Sequence, residues 1–283
     1  MVVNTIAELR RLLKKQRSEN KSIGLVPTMG YLHDGHLSLI EQAKKENDII
    51  IVSIFVNPTQ FGPNEDFETY PRDMERDTQL AMKAGADIIF NPSVLEMYPD
   101  ASSTWVITEG SITSILCGAS RPVHFKGVTT VVNMLFNIVA PNRAYFGQKD
   151  AQQAAVLTKM VRDLHINVQL IICPIVREAD GLALSSRNTY LNKEEREQAT
   201  ILSKSLQLAL DEFNKGERAT DKLVKLVKDN IMSMPLANIE YVNIYAYPSL
   251  SEINKIEETS IVAVAARFGK TRLIDNIILE KRK

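Results

Sequence analysis

The chain has 283 residues, 45% hydrophobic and 24% charged, enough for a sizeable core and more than one average domain requires. Its 34 Lys and Arg balance 34 Asp and Glu, so the formal net charge is zero. That balance argues against a nucleic-acid coat, which carries a basic surplus, and against a disordered polyelectrolyte. Cys117 and Cys173 are too few and too far apart for a disulfide framework or a cysteine zinc cage, and read as free buried thiols in a reducing compartment. The N-terminus has no uninterrupted apolar core or small-residue cleavage site. The densest apolar runs, 49–56 and 128–140, fall short of the roughly 18 residues of a membrane span. A cytoplasmic protein with no nucleic-acid or membrane partner is expected.

In chain order, Thr5 and Glu8 fit a capping box ahead of a helix striped by Ile6, Leu9, Leu12 and Leu13. Residues 23–26 form a short apolar run closed by Pro27, which suits a buried strand. Helical spacing returns over 36–47 through Leu37, Ile40 and Ala43. Residues 49–56 are mostly β-branched, as a central parallel strand covered on both faces should be. A helix is predicted over 74–85 with Gly85 as its stop, then a strand over 87–90. A buried helix over 128–139 ends at Pro141, followed by a strand at 144–146, a helix at 150–164 and a strand at 168–172. Such alternation predicts an α/β fold with helices on both faces of a parallel sheet, and ligands at the strands' carboxyl ends. The character changes near 175. Two long amphipathic helices (193–213 and 219–232) precede two strands (239–245 and 260–268), with no strand–helix–strand repeat. Domains at 1–175 and 176–283, the second a smaller α+β unit, are expected.

Four segments carry chemistry. Between the first predicted strand and its helix lies Met29-Gly30-Tyr31-Leu32-His33-Asp34-Gly35-His36, with two of the chain's four histidines three residues apart. A helix N-terminus offers unpaired N–H groups and partial positive charge, so phosphate contact is the favoured reading of the pair. Metal ligation is the weaker one, because no third ligand lies nearby. After the strongest strand, Gln60 supplies a neutral donor and acceptor suited to a hydroxy acid. At the next strand end, Gly147-Gln148-Lys149-Asp150 and then Gln153 offer a mobile cation, a candidate N-cap in Asp150 and a carboxamide one turn on. Ser185-Ser186-Arg187 forms a compact anion clamp, and Arg121 with His124 adds a further cation and imidazole. Distributed cations of this kind suit ATP with Mg2+, yet neither a dinucleotide fingerprint nor a P-loop occurs.

The ordered set 27–36, 55–61, 70–72, 121–128, 147–150 and 185–188 resembles the pantothenate synthetase (pantoate–β-alanine ligase) family. The resemblance spans residues 22 to about 192. His-x-Gly-His alone is shared with nucleotidyltransferases that keep AMP on their product. Tyr31 stands where many members carry a smaller residue. The resemblance implies a Rossmann-like domain of the nucleotidyltransferase type, a C-terminal domain that helps cover the site, and a homodimer. It implies ATP contacts from Met29 to His36, from Gly147 to Asp150, from Val176 and from Leu184 to Arg187. It implies pantoate contacts from Gln60 and Gln153, with Gln60 also near β-alanine, and a proton-donating role for His36. His33, His36, Lys149 and Arg187 would carry the chemistry, which joins pantoate to β-alanine through a pantoyl adenylate and releases AMP and pyrophosphate.

Overall fold

The computed structural model describes residues 1–63, 65–100 and 104–280. The last three residues of the expected second domain, 281–283, therefore lie outside the described residues. The first part alternates as expected: β1 (Val2–Val3), α1 (Ile6–Ser18), β2 (Ile23–Thr28), α2 (Asp34–Glu46), β3 (Ile49–Ile54), α3 (Met74–Ala84) and β4 (Ile88–Phe90). Three one-turn helices follow, α4 (Val94–Met97), α5 (Ser111–Ser114) and α6 (Cys117–Ser120). Then come α7 (His124–Val139), β5 (Arg143–Gly147), α8 (Ala151–Asp163) and β6 (Gln169–Cys173).

Strands β1 to β6 form one parallel sheet in the order β1-β4-β3-β2-β5-β6. Alternating side chains split between its faces, as a pleated strand requires. Ile23, Leu25 and Ile51 pack under α1, α7 and α8, whereas Val26, Ile50 and Val52 pack under α2 and α3. The chain builds outward from β2 through β3 and β4, then returns to the other side of β2 to lay down β5. The crevice between β2 and β5 is thus the topological switch point, where open α/β sheets bind ligands.

The strand closed by Pro27 in the sequence reading runs on to Thr28. Asn142 N–H donates to Ile23 O and Phe55 N–H donates to Thr28 O, so odd-numbered residues of β2 face β5 and even-numbered ones face β3. The ladder to β5 stops at Leu25–Ala144, so Pro27 lacks its N–H on a side that no longer pairs. α7 begins one turn earlier than its apolar run, at His124.

The remainder consists of α9 (Lys193–Ala199), α10 (Ile201–Asn214), α11 (Thr220–Ile231) and an antiparallel sheet of β7 (Ala237–Ala246), β8 (Ser260–Phe268) and β9 (Thr271–Leu279). The single helix expected over 193–213 divides at Thr200, whose hydroxyl donates to Glu197 O in competition with the backbone ladder. Strand β9 has no counterpart in the sequence reading. Val262, Val264, Ala266 and Phe268 of β8 pack on α10 and α11. On the opposite face, Ile261 and Ala263 meet Ala155 and Val156 of α8, so an apolar seam joins the two sheets.

Candidate active site

The turn after β2 is built from within the parallel sheet. Gly30 has φ +85°, and a Cβ there would meet Asp77 Oδ2 at 3.0 Å, so glycine serves both geometry and space. Tyr31 follows in the left-handed region at φ +50°. Asp77, buried on α3, accepts the N–H groups of Tyr31 at 2.6 Å and Leu32 at 2.7 Å, holding this unfavourable backbone in place. Burial raises the Asp77 carboxyl, and those two N–H donors oppose the rise. The Tyr31 ring lies under the Arg76 guanidinium at 5.2 Å, which is how the larger residue is accommodated.

His33 then occupies the N-cap of α2 and His36 the third helical position, their ring centroids 4.0 Å apart. Burial, seconded by the Lys149 ammonium, lowers His33 to about 4. Burial, then the His33 ring and Lys149, hold His36 well below the ordinary imidazole value. Both rings are therefore neutral near pH 7. The His36 Nδ1 accepts the His33 N–H at 3.4 Å, which assigns the single ring proton to Nε2. His33 Nδ1 is buried with no partner.

The cationic groups of the cleft are held differently. Arg187, in the turn Ser186–Tyr190, forks Asp66 at 2.9 and 3.1 Å and lies over the Tyr70 ring. Tyr70 OH and Ser186 Oγ are 3.3 Å apart. Lys149 Nζ lies 3.8 Å from Asp150 Oδ2. Asp150 stands at the N-cap position of α8, but its side chain makes no capping bond, which corrects the expected role. Arg121 pairs with Glu65, and His124, lowered to about 4 by burial and then Arg121, bonds Gln60 O through Nδ1 at 3.0 Å.

Gln60 is fixed by a relay. Tyr98 OH donates to Asn57 Oδ1 at 2.8 Å, so Asn57 Nδ2 faces Gln60 Oε1 at 3.2 Å and Gly127 O at 3.2 Å. Gln60 Nε2 is left as the donor, at 2.9 Å from Met29 Sδ. Gly127 permits this contact, since a Cβ would meet Thr59 O at 2.4 Å.

One cavity of about 230 Å3 gathers these groups at the β2/β5 switch point. It is lined by Met29, His33, Gly35, His36, Gln60, Gly147, Lys149, Asp150, Gln153, Val176, Leu184, Ser185, Ser186 and Arg187. Its floor is apolar, from Phe55, Val128, Val131, Val132, Leu135 and Phe146, except for Ser53, whose buried hydroxyl has no partner. Gly30, Tyr31, Leu32, Asp34 and Gln148 do not line it. Leu32 is core, Asp34 is exposed at the start of α2, and Gln148 turns to Asn276. The sequence reading missed Asp66, Asp77, Asn57 and Tyr98, all of which act by holding another group. Only spatial proximity reveals Asp66, Asp77 and Tyr98. Asn57 alone had a local signal, as the residue before the Pro58 turn.

Comparison with known proteins gives a consistent picture. The family described as pantoate-beta-alanine ligase matches residues 1–278. Pantothenate synthetase of Acetivibrio thermocellus is 57% identical over 279 residues, 99% of each chain, and that of Enterococcus faecalis is 54% identical over 280 residues, again 99% of each. Among solved structures, pantothenate synthetase from Thermus thermophilus superposes with a TM-score of 0.93 at 44% identity over 98% of each chain. A pantoate-beta-alanine ligase from Francisella tularensis, complexed with beta-gamma ATP and beta-alanine, superposes at 0.80 with 37% identity, covering 98% of this chain and 97% of that one. This chain belongs to the pantoate–β-alanine ligase family.

Proposed function

We propose that the protein condenses pantoate with β-alanine at the expense of ATP, through a pantoyl adenylate. The observation that carries this reading is the convergence of two imidazoles, Lys149, Arg187, Gln60 and Gln153 on one cavity at the switch point. Pantoate is a dihydroxy acid with a quaternary dimethyl carbon. The apolar floor suits the methyls, and the two carboxamides suit the hydroxyls and carboxylate.

In the first step the pantoate carboxylate attacks the α-phosphorus of ATP and pyrophosphate leaves. In the second the β-alanine amine attacks the acyl carbon, AMP leaves, and the amide forms. His36 Nε2–H and His33 donate to phosphoryl oxygens as neutral imidazoles, while Lys149 and Arg187 offset charge that builds in the transition state. No covalent enzyme intermediate is required. Among the described residues no three His, Cys, Asp or Glu cluster as a metal cage, and Asp150 is the carboxylate on the cavity wall. That donor set fits Mg2+ held chiefly by phosphates with Asp150 beside it, and the ion would neutralise pyrophosphate charge. Residues 1–175 bind ATP and pantoate in this reading, and 176–283 cover them. No helix among the described residues is long and apolar enough to cross a membrane. A homodimer is what the family resemblance implies, and sedimentation analysis would test it.

Incubation with ATP, pantoate and β-alanine should release AMP and pyrophosphate in step with amide formation. A product that retains the nucleotide would favour a nucleotidyltransferase and defeat this reading.

A further inference from the structure

Two adjacent residues of β9 reach across the apolar seam into the loops of the cleft, and neither lines the inner cavity. Asn276 is 3% exposed, and its Nδ2 donates to Gln148 O and Lys149 O, each at 2.9 Å. Its Oδ1 accepts from Gln148 Nε2 at 3.3 Å. Asp275, 2% exposed, forks Arg177 at 2.6 and 3.0 Å, and Arg177 also donates to Gly181 O at 3.1 Å. Burial raises the Asp275 carboxyl, and Arg177 counters it. One step along a strand therefore grips both the 147–150 turn and the segment leading to Ser185 and Arg187.

The two carbonyls held by Asn276 belong to the peptide planes on either side of the Lys149 Cα. Fixing both planes fixes both backbone dihedrals of that residue, so the lysine keeps only its side-chain freedom. Replacing this buried amide removes both of those hydrogen bonds at once. The turn is a single 3-10 turn, Gln148–Asp150, with no side-chain cap, so its placement against the C-terminal sheet falls to the Asn276 amide. We propose that Asn276 is the positioning residue for Lys149: the C-terminal sheet aims the ammonium into the cleft by clamping its backbone, without touching substrate. This rests on the reading above that Lys149 serves the phosphates of ATP.

The test is a double-mutant cycle on ATP affinity, measured by titration calorimetry on the full-length protein without pantoate. Lys149→Ala should weaken ATP binding, and Asn276→Ala should weaken it about tenfold, within the range of coupled contacts. The double variant should bind no more weakly than Lys149→Ala alone, because Asn276 acts only through the lysine. The pantoate KM should be unchanged in Asn276→Ala. Equal weakening by Asn276→Ala in both backgrounds, or no weakening at all, would overturn the proposal while leaving the ligase reading intact. If Lys149→Ala alone binds ATP like the unaltered protein, the assignment of Lys149 to phosphate fails, and the proposal with it. Should Asn276→Ala not fold, Asn276→Asp keeps the shape but sets an acceptor against two carbonyls, and the same cycle applies.

Discussion

The histidine turn and the cationic turn face one cavity but are secured by opposite means. The histidine side is pinned from inside the parallel sheet, by Asp77 on α3, and its imidazoles are uncharged. The cationic side is braced from the antiparallel sheet, and its charges stand beside carboxylates: Arg187 with Asp66, Arg121 with Glu65, Lys149 near Asp150. The contrast follows from desolvation. A neutral imidazole can wait half-buried with an unpaired nitrogen at modest cost, whereas a buried guanidinium cannot. In the proposed reading, phosphate would meet ready donors at the histidine turn, and at the cations would share or displace an internal carboxylate.

The sharpest way to break this contrast is His36→Ala, which removes the Nε2 donor. The adenylation rate, measured as single-turnover pyrophosphate release, should fall by roughly two to four orders of magnitude with an unchanged circular dichroism spectrum. A near-normal rate would take His36 out of the chemistry. Asp77→Ala tests whether the turn is truly held from α3. It strands the N–H groups of Tyr31 and Leu32, the second of them buried at a cost of about 1–3 kcal/mol, so both melting temperature and adenylation rate should drop. A loss confined to stability would show that the turn keeps its shape unaided.

Acid offers a test of the neutral storage itself. His33 and His124 sit near 4 and His36 well below its usual value, all under the roughly 6.5 of an unfolded imidazole. Between those values the unfolded chain binds more protons than the native one. Stability is thus complete above about pH 6.5 and is lost as pH falls toward 4. Each pH unit below about 6.5 costs about 1.4 kcal/mol per such ring until its folded value is reached. Calorimetric melting at pH 7.5, 6 and 5 should decline steadily, and His124→Gln should flatten the slope. A level profile would mean that these rings are not desolvated. The smallest effect is expected from Gln153→Ala, which should raise the pantoate KM by about tenfold while changing ATP affinity less, as loss of one hydrogen-bonding partner would. The reverse pattern would place pantoate in the wrong crevice.

Much of this was legible in the residues. The alternation that makes the parallel sheet is written in the β-branched run 49–54 and the helical stripes around it; the cavity groups His33, His36, Gln60, Lys149 and Gln153 follow strand ends, and Arg187 lies in the turn after β6. Strand β9 was not legible, because Arg272, Asp275 and Asn276 interrupt its apolar pattern. The last two of these break the local rule in order to hold the other sheet. Asp66 and Asp77 were hidden for a related reason. Their partners lie 121 and about 45 residues away, and nothing in a single sequence announces a contact at that separation.

Pro27 carries a consequence for the shape of the molecule. Strand β2 zips to β3 along six residue pairs but to β5 along only two. Beyond Leu25 the imino acid gives β5 no hydrogen to grasp, and the ladder between the two central strands ends there. The cavity opens past that last rung, with Pro27 itself on its wall.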